Sequence, residues 1–204
     1  RSYFGRINLS WADKYLFEGN IRRDGSSRFH KNHRWGTFPS FSLGWRISEE
    51  NFLKSVKWIN MMKLRFSWGA LGNNAVDNYE YQSVYNKDNY ILGNAVMQGL
   101  AQTQLANAMV SWETTYVTNI GLDFNLFGSK LDGTIDVFNK DTRDILIDLP
   151  APLLVGNASI PTQNAARVRN KGIEMNLKWN HKIGKVDYFV GGNFTFIDNE
   201  VTCF

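Results

Sequence analysis

The chain has 204 residues, a net charge of +4 at pH 7, one cysteine and four prolines, and 14% of its residues are aromatic. A single cysteine excludes an intramolecular disulfide and a CxxC metal site. The positive charge is spread along the chain, which argues against a nucleic-acid surface, and no apolar run approaches the ~18 residues of a membrane-spanning helix. This composition favours β-strands joined by polar turns.

Apolar and polar residues alternate with a period of two along most of the chain, a pattern that predicts strands with one apolar and one polar face. In the first segment Tyr3, Ile7 and Trp11 share one face, and Arg6 and Asn8 share the other. Eight segments follow this rule: 3–11, 15–22, 40–47, 63–68, 118–126, 131–137 with an extension over 145–149, 173–180 and 190–196. We therefore predict an all-β, antiparallel fold.

Short and long connections alternate between these segments. The short ones are 12–14, 127–130 and 181–186, and the long ones are 25–34, 73–112 and 150–166. In an up-and-down meander, all long loops then lie at one end and all short turns at the other. Membrane β-barrels of the outer-membrane type show this asymmetry, with short periplasmic turns and longer external loops.

One connection is predicted to be helical, Ser48–Met62. Phe52, Val56 and Ile59 have helical spacing, acidic residues begin the segment and lysines lie further along it, as the helix dipole favours.

The alternation alone leaves two environments open for the apolar face, lipid or the packed core of a soluble barrel of the lipocalin type. Lipid is favoured because the polar face carries many ionisable side chains, which suit a wet lumen. Aromatic residues of the apolar parity, among them Trp11, Tyr15, Trp45 and Trp179, also adjoin the short turns, as expected at a membrane interface. Ten residues tilted by ~45° climb about 23 Å, close to the apolar band of such barrels.

Several sequence blocks closely resemble the SusC/RagA family of TonB-linked outer-membrane proteins. They cover most of the chain in the family's order: Tyr3–Asn8, Lys14–Glu18, Asn20–Phe29, Arg34–Gly36, Phe38–Ser40, Gly44–Glu50, Leu64–Gly69, Asn119–Phe124 and Asn170–Glu174. The resemblance implies a roughly 22-stranded barrel that imports glycans or peptides across the outer membrane of Bacteroidetes. It also implies energy supplied by TonB and a SusD-like surface lipoprotein as a lid.

Both ends of the sequence enter strand-like alternation directly, so we expect residues 1–204 to be an internal part of one barrel domain. The plug domain, the TonB-contacting segment and the signal peptide are expected to lie outside these residues. The alternative is a self-contained eight-stranded barrel, either a membrane anchor or a soluble ligand-binding module, since eight strands are enough to close a barrel.

Candidate binding residues are the aromatic side chains of the longest loop. They can contact a ligand or a lid protein, or instead form a small core that folds the loop on itself. These residues are Tyr79, Tyr81, Tyr85, Tyr90 and Trp112.

No cofactor site, catalytic group or metal site is predicted. His30 and His33 lack further ligands nearby, and Asp141, Asp144 and Asp148 lack calcium-loop spacing and are better explained by charge pairing along the lumen.

Overall fold

A computed structural model describes residues 1–150, 152, 154, 156 and 158–203. Nearly all of the regular structure in these residues is β-strand, and a 3-10 helical turn covers Ile47–Glu49. The strands are β1 (Ser2–Trp11), β2 (Tyr15–Gly25), β3 (Trp35–Arg46), β4 (Ile59–Asn73), β5 (Val84–Leu92), β6 (Ala95–Gln104), β7 (Glu113–Leu126), β8 (Leu131–Ile147), β9 (Gln163–Ile183) and β10 (Val186–Cys203). Within the described residues, no helix is long and apolar enough to span a membrane.

Eight of these strands form one antiparallel sheet in the order β1-β2-β3-β4-β7-β8-β9-β10, and β5 and β6 form a separate hairpin. Within the large sheet each strand pairs antiparallel with the one that follows it, apart from the inserted β5–β6 hairpin between β4 and β7, so the predicted meander is confirmed. Among the described residues β1 and β10 are not paired with each other, and the sheet stays open. This disfavours a self-contained eight-stranded barrel, which would have to close on itself.

In the middle of the outward face, the register keeps apolar residues opposite apolar residues. One cross-strand row contains Phe66, Ile120, Val137, Ile173 and Phe196. Since neighbouring residues of a strand point to opposite faces, the next row lies on the other face.

The apolar face of the sheet remains uncovered by the protein. Ile7 is 62% exposed and Phe196 is 59% exposed, whereas the buried hydrophobic cluster consists of the loop residues Phe29, Val76 and Val110. A soluble barrel would have placed the apolar face in its core. An exposed face of this extent is what lipid covers in a membrane barrel.

The helix predicted over Ser48–Met62 is wrong beyond its first turn. After Glu49 the chain continues in successive turns, in which Lys54 N donates to Glu50 O at 3.1 Å and Val56 N to Leu53 O at 2.9 Å. β4 then begins at Ile59, because pairing with β7 extends as far as the Ile59–Leu126 pair. Ladder hydrogen bonds to a neighbouring strand here override the helical spacing of three apolar residues.

Two of the long connections contain more strand than the sequence indicated. Residues 73–112, predicted as a loop, include the β5–β6 hairpin, whose turn carries Gly93 in a left-handed conformation (φ +63°). β9 begins at Gln163, inside the loop predicted over 150–166. Four positions of that loop, 151, 153, 155 and 157, lie outside the described residues.

Candidate functional site

The polar face of the sheet carries ion pairs that join adjacent strands. Arg65 on β4 reaches Asp123 on β7 at 2.8 Å and Asp136 on β8 at 3.0 Å. All three side chains share one face, because Arg65 and Asp136 both pair with Gly121, and Asp123 is two residues further along the same strand. A Cβ atom at Gly121 would collide with the side chains of Arg65 and Asp136. The glycine therefore leaves the space that the two ion pairs occupy.

Two further polar clusters lie on this face. Asp132 accepts hydrogen bonds from the amides of Asn125 and Asn180, the latter at 2.8 Å. On β1 and β2, Arg6 donates to Asn20 at 2.8 Å, and Asn20 in turn donates to Glu18 at 2.9 Å. The polar face therefore presents fixed charges and amides in a hydrogen-bonded arrangement, as expected for the wall of a water-filled lumen.

Two cavities adjoin the polar face. A cavity of about 1150 Å³ lies near the long-loop end and is lined by Arg6, Arg22, Phe38 and Trp112 among others. A second hollow of about 700 Å³ adjoins Asp123, Asp132 and Lys178 near the short turns. Their linings combine cations, carboxylates and aromatic rings, a mixture suited to polar oligomers.

The long loops fold together into a cap with its own small core. Phe29 from the β2–β3 loop packs on Val76 and Val110 from the β4–β7 connection. Trp112 closes this core, with ring centroids 5.3 Å from Phe29 and 5.4 Å from Phe38, and its indole N–H donates to Arg34 O at 3.1 Å. We call residues 26–34, 74–112, 148–150 and 158–162 the loop cap.

Buried polar groups connect the loops of the cap. Glu80 is only 8% exposed, and its carboxylate accepts hydrogen bonds from Asp77 N and Thr162 N, both at 3.0 Å. Thr162 also donates its hydroxyl to Asp148 at 2.7 Å. Sequence reasoning missed Glu80, because a single acid in a polar loop carries no pattern that indicates burial.

The structure separates the five predicted contact residues into three groups. Tyr79 and Tyr81 lie together, with ring centroids 6.4 Å apart, and Tyr81 also contacts the ring of His30 at 6.0 Å. Tyr85 and Tyr90 are exposed on the β5–β6 hairpin. Trp112 belongs to the cap core and at the same time lines the larger cavity.

In the described residues no group of three or more His, Cys, Asp and Glu side chains is placed to hold a metal ion. Asp141 is paired, with Arg143 at 2.8 Å and with Arg167. The interpretation of Asp141 as a paired charge therefore agrees with the structure. Its register with Tyr116, however, places it on the outward face of β8 rather than along the lumen.

The outward face carries two rows of aromatic residues, one on each side of the apolar band. Near the short turns, Tyr15 stacks between Trp11 and Trp45, with centroid distances of 5.6 and 6.4 Å. Near the long loops, two stacked pairs, Tyr3–Trp35 and Trp68–Tyr116, have centroid distances of 6.0 and 6.2 Å. Two such girdles are characteristic of membrane β-barrels. The sequence indicated only the first of them.

Glu50, in the β3–β4 connection, forms hydrogen bonds with two aromatic residues of the row near the short turns. Its carboxylate accepts hydrogen bonds from Tyr15 Oη at 2.7 Å, Lys14 Nζ at 3.0 Å and Trp45 Nε1 at 3.2 Å. The hydrogen bond from Tyr15, followed by those from Lys14 and Trp45, lowers the pKa of the Glu50 carboxyl from its ordinary value of 4.5 to about 2. The carboxylate thus stays charged at the edge of the membrane.

Comparisons with known proteins agree with this architecture. Residues 1–202 match the family described as TonB dependent receptor-like, beta-barrel. A TonB-dependent receptor of Formosa agariphila is 38% identical over 98% of this chain, and the TonB-dependent receptor SusC of Bacteroides thetaiotaomicron is 37% identical over 98%. The chain spans about a fifth of the length of these relatives (19% and 20%).

Among solved structures, the RagAB peptide importer in its closed-closed state superposes with a TM-score of 0.89 and 29% identity, covering 100% of this chain and 22% of the matched one. The siderophore receptor PirA from Pseudomonas aeruginosa shares the fold, with a TM-score of 0.65 and 13% identity over 99% of this chain and 34% of its own. The chain therefore belongs to the TonB-dependent receptor family, as a stretch of outer-membrane β-barrel related to SusC and RagAB.

Proposed function

We propose that residues 1–204 form part of the wall and part of the external loops of an importer that carries oligosaccharides or peptides across the outer membrane. Family membership supports import, and the RagAB structures are described as a peptide importer. The observation that carries the proposal is the charged and hollow polar face beneath the loop cap. Such a face offers hydrogen-bonding groups to a hydrated oligomer along its path.

The proposal includes the organisation of the whole protein. All 204 residues would belong to one barrel domain, and the plug domain, the TonB-contacting segment and the signal peptide would lie elsewhere in a longer chain. TonB would then supply the energy through a part of the protein that this chain does not contain. In this arrangement the chain binds and guides a solute, and it carries out no bond-breaking chemistry.

The five aromatic residues of the cap are proposed to have three different roles. Trp112 lines the cavity, so its ring is available to substrate. Tyr79, Tyr85 and Tyr90 are exposed side chains of the cap, and these amphipathic side chains suit contact with a SusD-like surface lipoprotein. Tyr81, which packs against His30 and Tyr79, would support that surface.

The proposal is tested by uptake in cells. A strain that lacks the full-length receptor is compared with the parent for growth on purified oligosaccharides and on peptide mixtures as sole carbon source. We expect loss of growth on one of these two classes, and that class identifies the substrate. Unchanged growth on both would contradict the importer function.

The strain is then complemented with a receptor in which Tyr85 and Tyr90 are both changed to serine. Loss of lid contact should reduce uptake and co-purification of the surface lipoprotein, while the receptor stays in the outer membrane. The control is Tyr188→Ser, which removes an exposed tyrosine of the opposite, short-turn end. If the control and the hairpin variant lower lipoprotein recovery equally, these two tyrosines have no specific role in lid contact.

A further inference from the structure

Two arginines and two aromatic rings form a patch on the outward face of the first three strands. Arg1 lies over the ring of Tyr3 at 5.0 Å, Tyr3 stacks on Trp35 at 6.0 Å, and Arg23 lies over the ring of Trp35 at 5.5 Å. We call these four residues the arginine–aromatic patch. Cation–π contacts of this kind hold the guanidinium groups in place and leave their N–H groups free for an acceptor.

The patch lies at the border of the apolar band that is nearer the long loops. On β2 the outward side chain before Arg23 is Ile21, which is 55% exposed, and Tyr3 pairs with Arg23 in the same row. The patch is therefore at the end of the sheet that carries the long loops, which in this family's barrels is the external side. Arginine at such a border keeps its charged head at headgroup level and its stem along the apolar surface.

Within the described residues, no side-chain ion pair joins Arg1 or Arg23 to a carboxylate. On the same outward face, Arg143 is paired with Asp141, and Lys171 with Asp198 at 3.2 Å. Two exposed guanidinium groups beside a hydrocarbon-facing surface complement an anion that is attached to acyl chains.

We propose that the arginine–aromatic patch binds the phosphate group of a lipid in the outer leaflet of the membrane. The guanidinium groups of Arg1 and Arg23 would donate hydrogen bonds to the phosphate oxygens, a geometry that arginine provides in pairs. The acyl chains would lie along Ile21 and Ile7 below, both of which are exposed. Tyr3 and Trp35 hold the interface position that amphipathic rings prefer.

This proposal is independent of the transported substrate, because it concerns the outer surface of the barrel and not its lumen. A lipid held there would fix the height of this part of the wall in the membrane. Failure of the lipid experiment below would leave the import proposal untouched.

The test uses the full-length receptor, purified in detergent and studied by native mass spectrometry. Phosphatidic acid or diacylglycerol with the same acyl chains is added, so that the two lipids differ only in the phosphate. We expect phosphatidic acid to be retained and diacylglycerol not. Arg23→Gln should lower retention of phosphatidic acid about fivefold, the share expected for one basic group at an anionic lipid surface.

The neighbouring residue supplies a matched control. Arg22 points to the opposite, lumenal face and pairs with Asp24 at 2.6 Å, so Arg22→Gln should retain phosphatidic acid as the wild type does. Both variants are checked for folding by the heat-dependent shift of the barrel in gel electrophoresis.

Three outcomes would overturn the proposal. One is unchanged retention by Arg23→Gln, and another is an equal loss with Arg22→Gln, which would indicate a general charge effect. The third is displacement of the lipid by excess inorganic phosphate, which would show that the patch recognises the free anion rather than a lipid headgroup.

Discussion

Individual side chains on this wall are held by several partners at once, and Glu50 is the clearest case. Three donors converge on its carboxylate from two strands and a turn. Because its pKa falls to about 2 in the folded chain, folding is favoured by the charged form. The stabilising contribution is complete above pH 4.5 and is lost as the pH falls from 4.5 toward 2.

The Glu50 network predicts a pH-dependent thermal stability. For the wild-type receptor we expect the thermal midpoint in detergent to fall between pH 5 and pH 2.5 by more than it does for Glu50→Gln, whose side chain does not titrate. At pH 7 the variant should unfold at a lower temperature than the wild type. Parallel curves for the two proteins over the acidic range would show that Glu50 does not contribute to the pH dependence.

Arg65 provides a second test on the polar face. Its side chain is 33% exposed and bridges Asp123 and Asp136. Arg65→Gln leaves two carboxylates facing each other without a cation, and we expect a loss of about 1–2 kcal/mol in the free energy of unfolding, less than for a fully buried pair. Urea titration monitored by tryptophan fluorescence measures this change in the free energy of unfolding.

The comparison for Arg65 is Arg6→Gln. Arg6 is 64% exposed and lies 3.7 Å from Glu18, so its loss should cost roughly 0–1 kcal/mol, as for other surface pairs. An equal cost for the two variants would mean that the ion pairs from Arg65 on β4 to β7 and β8 contribute no more to stability than a surface pair.

Pairing of neighbouring strands depends on glycines at points of close approach. A Cβ atom at Gly172 on β9 would lie 2.3 Å from the backbone oxygen of Phe196 on β10. Gly172→Ala is therefore expected to cost about 1–3 kcal/mol through local separation of the two strands. On β10, nothing lies within 4 Å of a Cβ built at Gly192, and Gly192→Ala should stay within about 0.5 kcal/mol. Urea unfolding distinguishes the two.

The sequence predicted the strands of the wall well for a physical reason. Wherever one face meets lipid and the other meets water, every second residue is sorted by polarity, as in β7, where Ile120 and Leu122 alternate with Asn119 and Asp123. The β5–β6 hairpin was missed because almost every residue of β5 is exposed on both faces. No environment there forces alternation.

The candidate site was less accessible to prediction. The alternation of polarity puts Arg65, Asp123 and Asp136 on the polar face, but their mutual contact needs the register of three strands, with paired residues up to 71 positions apart. The cap depends on similar long-range contacts, such as the one between Glu80 and Thr162. These contacts are made between loops, where no periodic pattern exists. The error at Ser48–Met62 has a related cause, since tertiary pairing recruited residues whose local spacing was helical.

For the molecule as a whole, the orientation of the sheet between lipid and water is the property that most directly governs insertion. Ile135 and Thr134 are neighbours on β8 with opposite orientations: Ile135 is opposite Leu122 and Met175, and Thr134 is opposite Asp123 and Asn176.

Placing a charge on either face tests this orientation. Ile135→Arg puts a cation in the lipid band and should cost about 2–4 kcal/mol. Thr134→Arg puts the same cation beside Asp123 and should change stability by no more than about 0.5 kcal/mol. Folding yield into lipid vesicles and urea unfolding both report the difference. Greater tolerance of arginine at position 135 than at 134 would reverse the assignment of the two faces.

The shared core of the loop cap makes the three long connections structurally dependent on one another. Phe29, Val76 and Val110 come from two different connections, and Glu80 joins them to a third through Thr162. A single loop taken from a relative would not fit the core that the other two loops form. It could also leave the Glu80 carboxylate without its hydrogen bond from Thr162 N. Exchange of all three connections together is therefore expected to preserve the folded cap, whereas exchange of one connection alone is expected to disrupt it.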